Sequence, residues 1–102
     1  MKISEKPSRL VFFKKEACPP CQQVSLRLLK VFEENPEYAK HVTVLQKENH
    51  PELVEKYGLE MYPTVLIMDK HNNEISRKIG MNSLSKDWWL EALTVIHRLE
   101  TK

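Results

Sequence analysis

The chain has 102 residues, of which 16 are lysine or arginine and 14 are aspartate or glutamate, so its formal net charge is +2. This length suits a single core, and we predict one domain over residues 1–102 that is a monomer. The nearly balanced, interspersed charges argue against a nucleic-acid or membrane partner, and no stretch approaches the roughly 20 apolar residues of a transmembrane helix.

Residues 1–8 are polar and are predicted to be loosely held. They include lysines but no apolar run, so we expect no signal peptide and a cytoplasmic location. Because the cytosol is reducing, a closely spaced cysteine pair there is more typical of catalysis than of a structural bridge.

The first predicted strand covers Arg9 to Phe13, and its apolar run from Leu10 to Phe13 is typical of a strand buried on both faces. A helix is predicted from Pro19 until the Asn35–Pro36 pair stops it. Its apolar stripe consists of Cys21, Val24, Leu28, Val31 and Phe32. The opposite, polar face carries Gln23, Arg27 and Lys30.

Between the strand and the helix lies the tetrapeptide Cys18-Pro19-Pro20-Cys21. Side chains three residues apart on a helix are about 5–6 Å from each other, which suits the short reach of a disulfide. Pro19 and Pro20 lack the N–H groups that the first helical turn leaves unpaired, and Pro19 is already close to helical φ.

The two cysteines are predicted to differ. Cys18 caps the helix and faces its unpaired N–H groups and the positive end of its dipole, so its thiol pKa should lie below the usual value of about 8.5. Lys14 and Lys15 add to this effect. We therefore expect Cys18 to be exposed and activated, whereas Cys21, on the inward side, is shielded.

Three other interpretations of the pair compete with a catalytic one. A structural disulfide between residues already adjacent on a helix constrains the unfolded chain less than one that closes a long loop. A zinc site needs about four ligands, but the chain has two cysteines, and its four histidines show no paired ligand spacing; they are His41, His50, His71 and His97. Two incidental buried thiols stay possible, although two intervening prolines are unusual at an ordinary helix start.

The middle of the chain predicts a strand at Val42–Gln46, which should pair in parallel with the first. A short helix begins near Pro51, with Asn49 or His50 as its cap, and ends before Gly58.

The last part predicts strands at Thr64–Met68 and Ile75–Ile79, joined as an antiparallel hairpin by a turn at residues 71–73. Ser85 caps a final helix that extends to about Leu99. Both of its tryptophans, Trp88 and Trp89, are predicted to pack in the core.

This β-α-β-α-β-β-α order resembles the thioredoxin family. The resemblance rests on Cys18-Pro19-Pro20-Cys21, on Tyr62-Pro63-Thr64 opening a strand, and on Gly80 after the hairpin; the stretch from Lys56 to Thr64 is especially similar to thioredoxins. It covers nearly the whole chain from Arg9 and implies an α/β, thioredoxin-like fold with a four-stranded mixed sheet flanked by three helices. The shortened start is more like that of glutaredoxins.

The resemblance also implies a function. The chain would be a thiol-disulfide oxidoreductase that reduces protein disulfides, with Cys18 as nucleophile and Cys21 as resolving cysteine. It implies that Pro63 is cis and packs against the cysteine motif, that the Tyr62 backbone binds an extended substrate segment, and that Gly80 leaves room for it. No bound cofactor is implied beyond the redox-active disulfide, and electrons would come from a thioredoxin reductase or glutathione.

Several positions depart from the family pattern. Thioredoxins usually have a tryptophan before the first cysteine, a buried aspartate in the preceding strand and a lysine beside that aspartate; here these are Ala17, Phe12 and Val44. The usual proton acceptor for Cys21 is therefore absent, and water, the substrate, Glu16 or Glu48 must replace it.

Two further functions remain open. One is glutathione-linked exchange of the glutaredoxin type, with Lys15 meeting a glutathione carboxylate, although the acidic pair expected after the glycine is replaced by residues 81–83. The other is an interaction module or accessory subunit that does not need the dithiol.

Overall fold

The computed structural model describes residues 6–101 and has the predicted order of elements. The strands and helices are β1 (Arg9–Lys14), α1 (Pro19–Glu34), β2 (Val42–Gln46), α2 (Pro51–Tyr57), β3 (Thr64–Met68), β4 (Glu74–Ile79) and α3 (Lys86–Glu100). Short 3-10 helices lie at Pro36–His41, Lys47–Asn49 and Met81–Ser83. None of the helices in this part of the chain is both long enough and apolar enough to cross a membrane.

The sheet has the strand order β2-β1-β3-β4. β1 pairs in parallel with β2 and antiparallel with β3, and β3 pairs antiparallel with β4. The α/β fold with a four-stranded mixed sheet and three helices is therefore confirmed.

The central strand β1 explains why the core has two halves. Side chains alternate between the two faces of a strand, so Leu10 and Phe12 join one apolar cluster while Val11 and Phe13 join the other. The first cluster is closed by α1 and α3, and the second includes side chains of α2. These four apolar side chains of β1 are all buried, which accounts for the continuous apolar run in the sequence.

The ends of the helices follow local chemistry. α1 starts with two prolines and ends at Asn35, whose backbone N–H donates to the Val31 carbonyl at 2.8 Å. α2 ends at Gly58 in the left-handed conformation (φ 61°), where glycine costs least. His50 precedes α2, but neither its side chain nor that of Asn49 makes the predicted capping bond. Ser85 does cap α3, its hydroxyl accepting the Trp88 N–H at 3.1 Å.

The turn between β3 and β4 is organised by a buried carboxylate. Asp69 accepts the backbone N–H groups of His71 and Asn73 at 2.8 and 2.9 Å. The Asn73 backbone hydrogen bond is the main cause that holds the pKa of Asp69 below its ordinary value. This bonding fixes the hairpin turn that the sequence predicts.

The N-terminal segment differs from the prediction at its end. Residues 1–5 lie outside the described part of the chain. Ser8 was expected to be loosely held, but its backbone N–H donates to the Met68 carbonyl at 2.8 Å and its hydroxyl to Glu100 at 3.0 Å. The segment is therefore anchored at Ser8, because pairing of β1 with β3 continues into it.

Replacing Trp89 by alanine should destabilise the fold strongly. Its side chain is fully buried and packs edge-on against Phe12, with ring centroids 5.6 Å apart. Loss of a buried tryptophan typically costs about 3–5 kcal/mol. The change in the free energy of unfolding is measured by chemical unfolding followed by far-UV circular dichroism. Val95→Ala on the same helix is the control, because Val95 is 41% exposed, and a loss as small as that of the control would contradict the packing described.

Two histidines form a pair between the Pro36–His41 segment and α3. His41 is only 5% exposed, and its Nε2 lies 2.9 Å from Nδ1 of His97. Burial is the largest cause that lowers the pKa of His41, followed by the charges of His97 and Lys40, while Glu100 acts in the opposite direction. The folded protein therefore prefers neutral His41.

This pair should make stability depend on pH. Because the folded pKa of His41 lies below its ordinary value of 6.5, the unfolded chain takes up the proton first. The stabilisation is complete above about pH 6.5 and is lost as the pH falls from there through the folded pKa. Urea unfolding between pH 8 and about pH 5 should show a smaller loss for His41→Gln than for the wild type. A His41→Gln variant that loses as much stability over this range as the wild type would refute the assignment.

Candidate active site

Strand register brings the predicted site segments to one end of the sheet. Phe13, at the end of β1, pairs with Thr64, and Thr64 pairs with Ile79 at the end of β4. The cysteine motif follows β1, Pro63 precedes β3 and Gly80 follows β4. The sheet therefore gathers at one edge the three segments that the sequence singles out.

Cys18 and Cys21 are joined by a disulfide, with their Cα atoms 5.2 Å apart. Cys18 occupies the capping position of α1, and its Sγ accepts the backbone N–H of Cys21 at 3.1 Å. The Cys18 carbonyl accepts the N–H of Gln22 at 3.1 Å, the first bond of the helix. One of the unpaired donors of the helix start is thus directed at the sulfur.

The expectation that Cys18 is exposed is wrong for the oxidised protein. Cys18 is 3% exposed and Cys21 is 1% exposed. The sulfur of Cys18 is bonded to a cysteine on the inner face of α1 and accepts a hydrogen bond from the helix, and both interactions draw it inward. The predicted shielding of Cys21 is observed.

The residues around the cysteines have different exposures. Pro19 is exposed and Pro20 half-buried, and they occupy the first two positions of α1. Lys14 ends β1 and is half-buried, whereas Lys15 is exposed. Ala17, where the family usually has tryptophan, is exposed and has a positive φ of 52°. That conformation turns the chain from the strand into the helix.

The peptide bond between Tyr62 and Pro63 is cis, and Pro63 is buried. The Thr64 hydroxyl closes the turn by donating to the Met61 carbonyl at 2.7 Å. Of the backbone hydrogen bonds that residues 6–101 form outside helices and strands, none uses the amide or carbonyl of Tyr62. Both groups are therefore available to an added strand.

The Tyr62 ring packs against the second core cluster. Its hydroxyl is buried and has no hydrogen-bond partner within the described residues. Burial, and then the nearby Glu48 carboxylate, raise the pKa of the Tyr62 phenol. The Lys47 ammonium lies 5.6 Å from the ring centroid, so the ring links the Pro63 turn to the segment after β2.

Gly80 lies directly beside Pro63. Its backbone N–H donates to the Pro63 carbonyl at 2.8 Å, and its φ of 90° is one that L side chains rarely adopt. A Cβ built on Gly80 would meet no atom within 4 Å. Glycine is thus required by the backbone conformation, and the space where a side chain would lie is open.

The two positions where the family usually has its aspartate and lysine carry apolar side chains here. Phe12 is 1% exposed and belongs to the core, while Val44 is 48% exposed on the edge strand β2. Glu48, a candidate proton acceptor, instead accepts the backbone N–H of Glu16 at 3.3 Å. Desolvation acts to raise the pKa of Glu48, but hydrogen bonds from the Glu48 and Glu16 backbones outweigh it and hold that pKa below its ordinary value. Glu48 is therefore a weakened base.

One residue near the site has a role that the sequence did not indicate. Arg27 was predicted on the polar face of α1, but it is half-buried, and its guanidinium donates to two carbonyls of the segment after Gly80. Helical spacing carries no signal of this contact, because Arg27 borders the apolar stripe at Leu28.

Metal binding finds no support in the arrangement of side chains. Within residues 6–101, no three or more histidine, cysteine, aspartate or glutamate side chains are grouped so that they could hold a metal ion. The two cysteines are bonded to each other, which fits the dithiol interpretation.

Comparisons with known proteins agree with this geometry. A family model described as thioredoxin matches residues 1–87. The fold is similar to that of thioredoxin from Trypanosoma brucei brucei, at 23% identity and a TM-score of 0.65, covering 93% of this chain and 79% of that chain. It is also similar to thioredoxin 1 from Thermosipho africanus TCF52B, at 18% identity and a TM-score of 0.66, covering 92% and 99%.

A third similar structure is a thioredoxin from Malassezia sympodialis, with 16% identity, a TM-score of 0.65 and coverage of 83% of this chain and 70% of that one. At such identities the structural likeness supports the fold, while the family model spans most of the chain. The chain belongs to the thioredoxin family and, with its Cys18–Cys21 pair joined at the start of α1, is a thiol-disulfide oxidoreductase.

Proposed function

We propose that the protein reduces disulfides of protein substrates in the cytoplasm, with Cys18 as the attacking and Cys21 as the resolving cysteine. The observation that carries this proposal is the position of the pair at the start of α1, where the Cys21 N–H donates to the Cys18 sulfur. The same donor and the helix dipole favour a negative charge on that sulfur once the disulfide is reduced.

The exchange has two steps. The Cys18 thiolate attacks one substrate sulfur, forming an intermolecular disulfide and releasing the other substrate sulfur as a thiolate. Deprotonated Cys21 then attacks the Cys18 sulfur, which restores the Cys18–Cys21 bond and releases the second substrate thiolate. The substrate gains two electrons, and the protein becomes the oxidised form seen in the structure.

Cys21 must lose its proton before the second step. Phe12 provides no acceptor, and Glu48 is held as a weak base by its backbone hydrogen bonds. This leaves the thiolate released from the substrate, Glu16 or water as the acceptor. Of these, the released thiolate is the one that the reaction itself supplies.

We take the backbone of Tyr62 and the open space at Gly80 to be the two sides of a substrate groove that leads to the Cys18 sulfur and suits an extended peptide. The Tyr62 backbone has groups available for strand pairing, and the space beside Gly80 is open. Met61 and Ile79, which are 62% and 42% exposed, add apolar surface next to these two residues. A protein segment that carries a disulfide therefore fits the site better than a small polar thiol.

The electron donor that fits these features best is a thioredoxin reductase, with the protein acting as a monomer. Glutathione is the alternative, but the segment after Gly80 is Met81-Asn82-Ser83, which has no carboxylate to bind the glutathione amino group. In a reducing compartment, either donor would keep the dithiol reduced and direct the exchange toward substrate reduction.

Replacing the two cysteines separately should give different results. Cys18→Ser removes the nucleophile and should abolish insulin reduction. Cys21→Ser leaves the first step intact, so a mixed disulfide with the substrate should accumulate. Non-reducing electrophoresis and mass spectrometry detect this adduct, and insulin precipitation measures turnover.

The double Cys→Ser variant is the control, because it should neither reduce insulin nor form a mixed disulfide with it. Full insulin reduction by Cys18→Ser would exclude the scheme. An adduct trapped through Cys21 in the Cys18→Ser variant, with none in Cys21→Ser, would reverse the assigned roles.

The electron source is tested by comparing two regenerating systems on the same insulin substrate. We expect NADPH with a thioredoxin reductase to support turnover about tenfold faster than glutathione with its own reductase, equivalent to about 1.4 kcal/mol in activation free energy. Turnover in both systems is measured as the rate of NADPH oxidation. Faster turnover with glutathione would favour the glutaredoxin-type alternative and contradict the assignment of the donor.

A further inference from the structure

Arg27 connects the redox helix to the segment that follows Gly80. Its Nη1 donates to the Met81 carbonyl at 2.8 Å and to the Leu84 carbonyl at 3.1 Å, and both bonds are partly buried. Arg27 belongs to α1, the helix whose first turn holds the disulfide. A single side chain thus joins two of the structural elements that form the site.

The segment that Arg27 binds is short, and its partly buried Met81 side chain packs against the first core cluster. Gly80 donates its N–H to the Pro63 carbonyl at 2.8 Å, and Ser83 donates its N–H to the Gly80 carbonyl at 3.1 Å. Leu84, at the far end, is fully buried in the core. Gly80 is therefore fixed against Pro63 on one side, and on the other the residues after it are held by the packing of Met81 and Leu84 and by the Arg27 bonds from α1.

The guanidinium suits this contact better than other cations. It is always charged and planar, so the two N–H groups of Nη1 point in fixed directions toward the two carbonyls, whereas lysine offers a mobile point charge. Charge-assisted hydrogen bonds are also stronger than neutral ones. Removing the guanidinium would take its donor away from both the Met81 and Leu84 carbonyls.

We infer that Arg27 is a positioning residue that holds the Gly80 side of the substrate groove at a fixed distance from Cys18. This inference rests on the proposed function, because it concerns substrates that lie along Tyr62 and Gly80. An extended protein segment needs both sides of the groove, so it depends on Arg27. A small disulfide needs only access to the sulfur, so it does not.

Kinetics with two substrates test this role. Arg27→Met keeps an unbranched apolar stem and removes both hydrogen bonds, while Arg27→Lys keeps the charge. Lys30→Met is the matched control, because Lys30 is an exposed cation on the same helix. The substrates are insulin and DTNB, a small aromatic disulfide, and the exchange rate of the Gly80 amide proton is followed by NMR.

We expect Arg27→Met to raise KM for insulin about fivefold to tenfold, with kcat/KM for DTNB within about twofold of the wild type. Arg27→Lys should give an intermediate KM for insulin. Lys30→Met should leave the kinetics with both insulin and DTNB unchanged. The Gly80 amide proton should exchange faster in Arg27→Met than in the control. Circular dichroism confirms that each variant is folded at the assay temperature.

Two results would overturn the inference. One is an unchanged KM for insulin in folded Arg27→Met, and the other is an equal loss with insulin and DTNB, which would indicate a merely structural role. Failure of the wild type to reduce insulin would count against the proposed function instead. In that case Gly80 amide exchange would still decide whether Arg27 fixes this segment.

Discussion

The site depends on the pairing of β1 with a strand on each side. Its register aligns Phe13 with Leu45 of β2 and with Thr64 of β3. Because side chains alternate between the faces of the sheet, a slip of one residue would exchange the two buried sets of β1 side chains. The same slip would move the cysteine motif relative to Pro63. Burial of β1 on both faces therefore fixes its register, and the register fixes the position of the Cys18 sulfur.

This double burial also bears on the chemistry. Phe12 occupies the position where thioredoxins usually have an aspartate, and here it packs edge-on against Trp89. The first core cluster consequently gains apolar contact and has no carboxylate at this position. Glu48 does not compensate, because its oxygen accepts the backbone N–H of Glu16 in the chain leading to Cys18. Glu48 thus helps to fix the segment that leads from β1 to the disulfide.

The sequence predicted the fold well because its signals are local. Apolar runs and turn residues located β2 and β3 at their observed bounds, and Ser85 at the start of α3. The cis bond before Pro63 came from family resemblance, since spacing alone cannot distinguish it. The exposure of Cys18 was predicted wrongly, because an argument from helix position takes no account of the bond that draws the sulfur toward Cys21.

The contacts that escaped prediction join residues far apart in the chain. Arg27 binds the segment that begins at Met81, and His41 contacts His97, which lies 56 residues further along the chain. Periodicity records which face of an element is apolar, but it does not record what a long polar side chain at the border of that face will reach. Arginine at such a border can bury its stem and still donate to the carbonyls of a neighbouring loop. Side chains of this kind therefore set how firmly loops are held around a site whose chemistry the sequence already specifies.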